Sequence, residues 1–568
     1  MRIITLHCDF IKFKAVKKAI KEPEQDINKE EQTIKDPLVV LTAVEKGDTE
    51  NQVNQLVESI KKTASEVKAS SIVLYPYAHL SSNLAGPEIA LKILKDAESK
   101  LKKDLKVTRA PFGYYKTFEL KCKGHPLAEL SKEFRPDSQD AKEKGIEENY
   151  DTEQLLREIS RSKLDTSKLK DNDHRILGQK LDLFSFNDVA PGSVFWHHNG
   201  QIIYNELVNF SRQIHKEFGY QEISTPQILD NKLWKLSGHW THYKDNMFIT
   251  EYEKKQAAVK PMNCPGMMLV YKTKTRSYKD LPLRLFEFGV DHRKELSGVL
   301  SGLFRVVRMT QDDAHLFLTK EQIQQEMESL FKIIEIIYKK TFKFNYSFEL
   351  STRPEKFMGE KEDWDNAEKA LESALKKSKI KYKTNKGDGA FYGPKIDIHI
   401  KDSLNRTWQC ATIQLDMQMP KRFQITYVDK DNKEKTPLVI HRAIFGSIER
   451  FIGILLEHTH GNLPLWLSPI QVRVINFTDR NTKATEKTIF ELKKEIPSLR
   501  IESDLDSTTL NEKVRDAEIQ KIPYIIVIGD KEEKSNTLAV RHRGAKPVFN
   551  IKLSSLVKEL KDKIEDRS

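Results

Sequence analysis

The chain has 568 residues, 38% of them hydrophobic and 31% charged, which is too long for a single core and predicts several domains. Its formal net charge of +12 favours a polyanionic partner, although the lysines are interspersed with glutamates rather than gathered into a basic tail. Four cysteines (Cys8, Cys122, Cys264, Cys410) exclude a disulfide scaffold, MRIITLHCDF lacks a signal-peptide core, and no uncharged run approaches the ~20 residues of a membrane span; a cytoplasmic protein is expected.

In chain order, residues 1–133 open with the strand-like RIITLHCDF and continue with helical stretches near 52–68 and 87–103 and a second strand, SIVLYPYAHL. APFGYYKTFELKCKG then reads as a glycine turn feeding another strand. Residues 134–180 are charged and poor in large apolar side chains, and read as a linker or solvated helical connector. Residues 181–465 mix antiparallel-looking strands (LRLFEFGVDHR, IDIHIKD, TWQCATIQLDM) with amphipathic helices (EQIQQEMESLFKIIEIIYKK, HRAIFGSIERFIGILLEH), an α+β pattern. Residues 466–568 alternate strands (QVRVINFTD, LRIESDL, PYIIVIGD, LAVRHR) with helices, a small α/β domain.

Three features of the largest unit carry chemistry. In 287–317 a strand ends in His292-Arg293-Lys294-Glu295, a glycine–serine loop follows, and a second strand carries Arg305 and Arg308. Such arms can grip a triphosphate, or form an ordinary hairpin with surface arginines. A helix across HRAIFGSIERFIGIL places Gly446, Arg450 and Gly453 on one face, leaving room for a planar ligand against the guanidinium or for close helix packing. Cys264, in KPMNCPGMM, has no second cysteine nearby and reads alone as a small buried hydrophobe. No P-loop, no G-x-G-x-x-G opening a helix and no H-E-x-x-H occurs in this unit.

Together these stretches resemble class II aminoacyl-tRNA synthetases: HRKE with its strands is similar to motif 2, GSIERF to motif 3, and HKEFGYQEISTPQI to the dimer-forming motif 1. In order across roughly 180–465, GHWTHYKDNMF, KPMNCPGM, TQDDAHLF, GAFYGPKID, WQCATIQLDMQMP and LVIHRAIFGSIERFIGIL resemble the threonyl-tRNA synthetases. The resemblance implies a homodimer with an antiparallel-sheet catalytic core, using L-threonine, ATP with Mg²⁺ and one Zn²⁺ per subunit to charge tRNA(Thr). It implies metal ligation by Cys264, His315 and His441, which lie 51 and 126 residues apart (264 to 315, 315 to 441), so spacing does not announce them. A thiolate with two imidazoles suits zinc with a position open to substrate. It further implies Arg293 on the α-phosphate, Arg305 on the γ-phosphate, Arg450 against adenine, Glu295 and Met309 near the base, and Tyr392, Lys395, Gln409 and Gln414 lining the adenylate pocket. Asp313 and Gln311 are threonine-pocket positions, and His239 is the histidine of transfer to the tRNA 3′-adenosine. Met309 stands where the family often has an aromatic residue on adenine, and Met267 replaces a histidine common after MNCPG.

Serine keeps the hydroxyl and lacks only a methyl, a difference worth ~1–3 kcal/mol, so a second, hydrolytic site is expected. VEKGD, YPYAHLSSNLAGP and APFGYYKTFELKCKGHPLAELS resemble the archaeal editing domain of this family, which is similar in fold to D-aminoacyl-tRNA deacylases. The matching positions are His79, Tyr115, Lys116 and Glu129, with Lys116 polarising the seryl ester. The HxxxH and downstream CxxxH of the bacterial editing domain are absent. Residues 466–568 resemble the anticodon-binding domain, with Glu532 and Arg541 at anticodon-contacting positions.

Overall fold

The structure, a computed structural model, describes residues 1–81, 83–134, 151–160 and 169–568. It divides into two compact units, Met1–Tyr150 and Asp151–Ser568.

The first unit is built on the 17-residue strand Arg2–Lys18. The N-terminal half of this strand pairs with Pro37–Ala43 and Glu129–Glu133, and its C-terminal half with Gln32–Lys35 and Tyr114–Cys122. Pro37–Ala43 (PLVVLTA) is buried throughout and continues the sheet in parallel through Ser71–Pro76 and Val107–Arg109, as an uninterrupted apolar run requires. The crossover helices are Glu50–Val67 and Pro87–Leu101, close to the stretches expected. Thr49 and Gln52 form a capping box at the start of the first, which buries Val53, Leu56, Val57, Ile60 and Ala64 at helical spacing.

The second unit centres on an eight-stranded sheet in the order Gln221–Glu222, Leu283–His292, Arg308–Leu318, Leu438–Ala443, Thr407–Asp416, Lys395–Lys401, Asn345–Ser351, Tyr382–Asn385. Neighbours are antiparallel except at the two edges. Because side chains alternate across a sheet, Phe286, Ala314, Leu316, Ile440, Ile413 and Ile398 enter one large apolar core shared with the helices His198–Glu217, Ile323–Ile334, Lys361–Lys377 and Ile448–Thr459. The residues between them turn Asp291, Asp313, His315, His441, Gln414 and Lys395 to the other face, and that polar face is largely buried as well.

Three expectations need correction. The stretch HRAIFGSIERFIGIL is not helical throughout: Leu438–Ala443 is a central strand, Gly446 turns at φ +75°, Ser447 caps, and the helix begins at Ile448. Gly446 therefore shares no helix face with Arg450, and Gly453 serves close packing, since a Cβ there would lie 3.1 Å from Leu303 and Phe304. Arg305 precedes the strand Arg308–Leu318 rather than lying on it. Within the 134–180 connector, Asp173 caps the helix His174–Lys180, whose Leu177 packs into the core; 135–150 and 161–168 lie outside the described residues. The 323–340 helix also changes to a π-helical turn at Glu335–Thr341.

The C-terminal part holds a five-stranded sheet in the order Ile501–Asp504, Val472–Asn476, Tyr524–Ile528, Leu538–His542, Val548–Ile551, the first three parallel. Its last strand was not legible in the sequence. Arg500 ties this part to the central one, donating to Glu206 at 2.9 Å and to the Trp466 carbonyl at 2.7 Å.

Gly200, in the first turn of His198–Glu217, lies so close to the Leu183 carbonyl that a Cβ would sit 1.9 Å from its oxygen. Gly200→Ala should therefore destabilise this unit by about 1–3 kcal/mol, whereas Gly298→Ala, with nothing within 4 Å, should change stability by less than ~0.5 kcal/mol. Thermal midpoints of the two variants measured side by side check this.

Candidate active site and metal centre

Cys264 starts the helix Cys264–Lys272, directly after the loop that follows the strand Lys255–Val259. His315 and His441 are cross-strand partners on Arg308–Leu318 and Leu438–Ala443. Pairing turns both imidazoles to the polar face, where their rings lie 4.3 Å apart. One ligand atom from each of Cys264, His315 and His441 falls within 4.8 Å of the others, and all three residues are buried. Neither nitrogen of His315 has a hydrogen-bond partner among the described residues, nor has Nδ1 of His441. Burial pushes the His315 imidazole well below its ordinary value, helped by His441 and Arg442, and pushes the Cys264 thiol well above its own, helped by Asp313, Asp291 and Asp416. Buried donors without partners are costly unless something binds them, and a divalent cation would reverse the penalty on the thiolate. These residues fit a metal ion.

The surroundings fit one too. His441 Nε2–H donates to Asp416 Oδ2 at 2.8 Å, which leaves Nδ1 free to ligate; Asp416 in turn accepts the Gln418 and Met419 N–H groups at 2.7 and 3.0 Å. Asn263, beside Cys264, donates to Asp313 at 3.0 Å and to Asp291 at 3.3 Å. That position exists because residue 289 is glycine: a Cβ there would lie 2.2 Å from Asn263 Oδ1. Burial raises Asp313, and raises Asp291 to about 8 despite nearby Arg293. Lys260, itself buried, donates to Thr225 at 2.9 Å and lies 3.5 Å from Glu287.

Next to this cluster on the sheet is a cleft of about 350 Å³. Seven of the residues expected at the ATP and threonine sites line it, Arg293, Glu295, Arg305, Met309, Gln311, Gln409 and Arg450, together with Gly446. Arg305 donates to Glu295 through Nε and Nη2 at 3.1 and 2.9 Å, while Arg293 Nε donates to the Pro261 carbonyl at 3.3 Å. Arg450 lies 5.7 Å from the Trp408 ring, and its buried Nε has no partner among the described residues. Glu449 accepts the Thr310 N–H at 2.9 Å and ties the arginine's helix to the sheet. The aromatic surface of the cleft is Phe304, not residue 309.

Tyr392 stands with its ring 5.4 Å from that of His441. Lys395 donates to Asp397 and to Asp388, at 2.5 and 3.1 Å. Asp397 also accepts from Gln409 at 2.6 Å and Thr412 at 2.9 Å. Gln414 donates to the Gly393 carbonyl at 3.1 Å. His239 is fully buried, shares a 2.8 Å hydrogen bond with Ser237, and is held down to about 4 by burial with His441 and Arg293 nearby. A second, larger cleft of about 540 Å³, near Lys180, His198 and Arg500, contains none of these groups.

Residues 1–134 match the family described as the archaea-specific editing domain of threonyl-tRNA synthetase, 247–459 the class II tRNA synthetase core domain (G, H, P, S and T), and 471–563 the anticodon binding domain. A solved structure titled as the RNA binding domain of threonyl-tRNA synthetase from Cryptosporidium parvum is 42% identical with a TM-score of 0.66, covering 69% of this chain and 98% of its own. The chain belongs to the threonyl-tRNA synthetase family. Threonine–tRNA ligases of Desulforamulus reducens and Thermotoga neapolitana are 52% and 50% identical over 399 and 396 residues, each match covering 70% of this chain. The chain spans 62% and 61% of the length of those two relatives. A prolyl-tRNA synthetase from C. parvum, 17% identical with a TM-score of 0.56 over 69% of this chain and 77% of its own, shares the fold. The central sheet is thus a class II synthetase core, with an editing domain before it and an anticodon-binding domain after it.

Within the threonyl-tRNA synthetase editing domain, Lys116 donates to the Pro111 and Tyr114 carbonyls at 3.0 and 3.2 Å and lies 4.9 Å from the Tyr75 ring. Burial lowers its ammonium to about 8. His79 reaches the same neighbourhood through Tyr77, whose ring is 5.4 Å from its own and 6.4 Å from Tyr75. Tyr115 is exposed on the adjoining strand position. Glu129 is not brought alongside: its strand partner is Leu6, whereas that of Lys116 is Ala15, nine residues further along. In the anticodon-binding domain Glu532 accepts the Gly529 N–H at 3.1 Å and Arg541 donates to Glu518 at 2.6 Å, so the two have separate partners. Sequence reasoning missed Asn263, Asp291, Asp397, Asp416 and Phe304. The one signal for Asp416 was its two-residue step from Gln414, which keeps it on the polar face.

Asp416→Asn keeps size and the capping acceptor but replaces the carboxylate that orients His441. With zinc as probe, it should weaken metal affinity about 10–100-fold in a chelator-competition titration.

Proposed function

We propose that the chain is a threonine–tRNA ligase that activates L-threonine with ATP, transfers it to the 3′-adenosine of tRNA(Thr), and hydrolyses mischarged seryl-tRNA(Thr) in its N-terminal domain. The observation that carries this reading is one buried sheet face holding both the Cys264–His315–His441 cluster and the arginine-lined cleft. We assign 1–133 to editing, 181–465 to aminoacylation and 466–568 to anticodon binding, and add 169–180 to the catalytic unit. The working form would be a cytoplasmic homodimer. No helix among the described residues is long and apolar enough to cross a membrane.

Cys264, His315 and His441 would hold Zn²⁺. Bound there, zinc supplies a Lewis acid that takes an amine and a hydroxyl oxygen, which valine lacks. Asp313 would accept the substrate hydroxyl hydrogen, supported by Asn263, with Gln311 beside it. Arg293 would neutralise the α-phosphate as the threonine carboxylate attacks phosphorus and pyrophosphate leaves. Arg305 would release Glu295 to take the γ-phosphate of Mg²⁺-bound ATP, and Arg450, with Phe304 and Met309, would bound the adenine. Tyr392, Lys395, Gln409 and Gln414 would line the adenylate. His239, neutral at pH 7, is in the form that accepts a proton from the attacking tRNA hydroxyl as AMP departs.

In the editing domain Lys116 would donate to the seryl ester carbonyl while water attacks, with His79 and Tyr115 around it. Glu129 would act from beyond the immediate neighbourhood of Lys116. Glu532 and Arg541 would contact the anticodon once freed from their present partners.

Threonine-dependent ATP–pyrophosphate exchange should be present in the unaltered chain, and Cys264→Ala should abolish it together with bound zinc; an active, zinc-free variant would refute the metal role. Lys116→Met should leave exchange intact while seryl-tRNA(Thr) accumulates. Because the folded ammonium titrates near 8, the Lys116-dependent part of deacylation should be fully present well below pH 8 and fall as pH rises through it. Rates of both proteins measured across pH 6.5–9 (roughly one to two pKa units around that value) check the sign.

A further inference from the structure

One buried titratable cluster stands outside the groups assigned above. Asp173, His174 and Glu457 bring ligand-type atoms within 4.8 Å of one another. Their bonding, however, is that of a closed hydrogen-bond network rather than a metal site. Glu457 Oε1 accepts the His174 Nδ1–H at 2.6 Å and the His174 backbone N–H at 3.0 Å, and Oε2 accepts from Arg406. Asp173 is taken up by Arg175. His174 Nε2 accepts the Leu303 N–H at 3.0 Å, so the ring is fixed in the Nδ1–H tautomer with both nitrogens occupied.

The bridge joins two walls of the cleft. Glu457 lies on the helix Ile448–Thr459 that carries Arg450, and Leu303 lies in the loop between Glu295 and Arg305. The loop approaches the imidazole as closely as backbone can: residue 302 is glycine at φ +50°, and a Cβ there would lie 2.2 Å from His174 Nε2. Phe304 follows, its ring 4.2 Å from that of His174 and 4.4 Å from Trp408, the indole beneath Arg450.

We propose that His174, a residue of the segment entering the catalytic unit, is a positioning residue for ATP: it pins the Leu303–Arg305 loop to the Arg450 helix and so sets the width of the nucleotide cleft. Pinning in advance removes ordering cost from binding. The inference rests on the reading that this cleft takes ATP. It does not touch the threonine end of the site, whose residues come from other elements.

The test compares the full-length chain with His174→Ala and His174→Gln; glutamine can still accept the Leu303 N–H. Affinity for a non-hydrolysable ATP analogue with Mg²⁺ is read by calorimetry, and KM values for ATP and threonine by pyrophosphate exchange. The expected result is at least a tenfold loss of nucleotide affinity in His174→Ala, an ATP KM raised in step, threonine KM and zinc content within twofold of the unaltered chain, and recovery of most of the loss in His174→Gln. Nucleotide affinity within twofold, or equal losses for both substrates, would overturn it. If His174→Ala does not fold, His174→Asn, which keeps the donor to Glu457 but is too short for Leu303, replaces it with the same criteria. An unaltered chain that binds the analogue but shows no threonine-dependent exchange would sink the functional reading, while the calorimetric comparison would still decide this one.

Discussion

Burying the polar face of a sheet obliges every group on it to find a partner, and the catalytic unit is organised by that obligation. The apolar face of the eight-stranded sheet packs into the main core, so period-two alternation delivers carboxylates, imidazoles and amides to the opposite face whether or not water can reach them. Most are satisfied by one another: Asp416 by His441, Asp313 by Asn263, Asp397 by Lys395, Gln409 and Thr412. Among the described residues, those left without a partner include both nitrogens of His315 and Nδ1 of His441, next to the Cys264 thiol; burial disfavours the thiolate of Cys264 and the protonated ring of His315. A divalent ion suits a thiolate and two neutral imidazoles at once.

The arginine-lined cleft follows from the same sheet. Leu283–His292 and Arg308–Leu318 run antiparallel, so the loop between them presents Arg293, Glu295 and Arg305 together beside the face that holds His315 and His441. The remaining arginine arrives from a helix whose start is fixed by a sharp turn at Gly446, where a Cβ would lie 2.8 Å from the Cys410 carbonyl. Asp312 braces that turn, accepting the Ile444 and Phe445 N–H groups at 3.0 and 2.9 Å. The Cys264–His315–His441 cluster and the arginine-lined cleft thus share a scaffold.

Strands and helices of both units were legible where periodicity was strong, as in the Val53–Ala64 helix face and the strand Leu283–His292. HRAIFGSIERF was misread because a short run buried on both faces has no period that separates strand from buried helix, and the left-handed Gly446 that divides the two elements was read as helical. The Cys264–His315–His441 cluster could not be read from spacing, since His315 and His441 meet only through cross-strand pairing and Cys264 joins them only through the packing of a helix start; resemblance alone pointed to it. His174 was hidden by its charged surroundings, DNDHR, although Asp173 before it is an N-cap signal that marks the start of folded chain. The editing and anticodon positions followed resemblance as well, and Glu129 is the one that strand register separates from its expected neighbours.

Selection of threonine over valine would depend on one sulfur and two imidazole nitrogens sharing an ion with room left for substrate. Zinc K-edge absorption spectroscopy of the zinc-loaded chain tests this most directly. It should give one sulfur at about 2.3 Å and two nitrogens at about 2.0–2.1 Å, with light-atom scatterers added or exchanged on threonine and not on valine. A shell without sulfur, a shell with two or more sulfurs, or a spectrum that responds alike to both amino acids would contradict it.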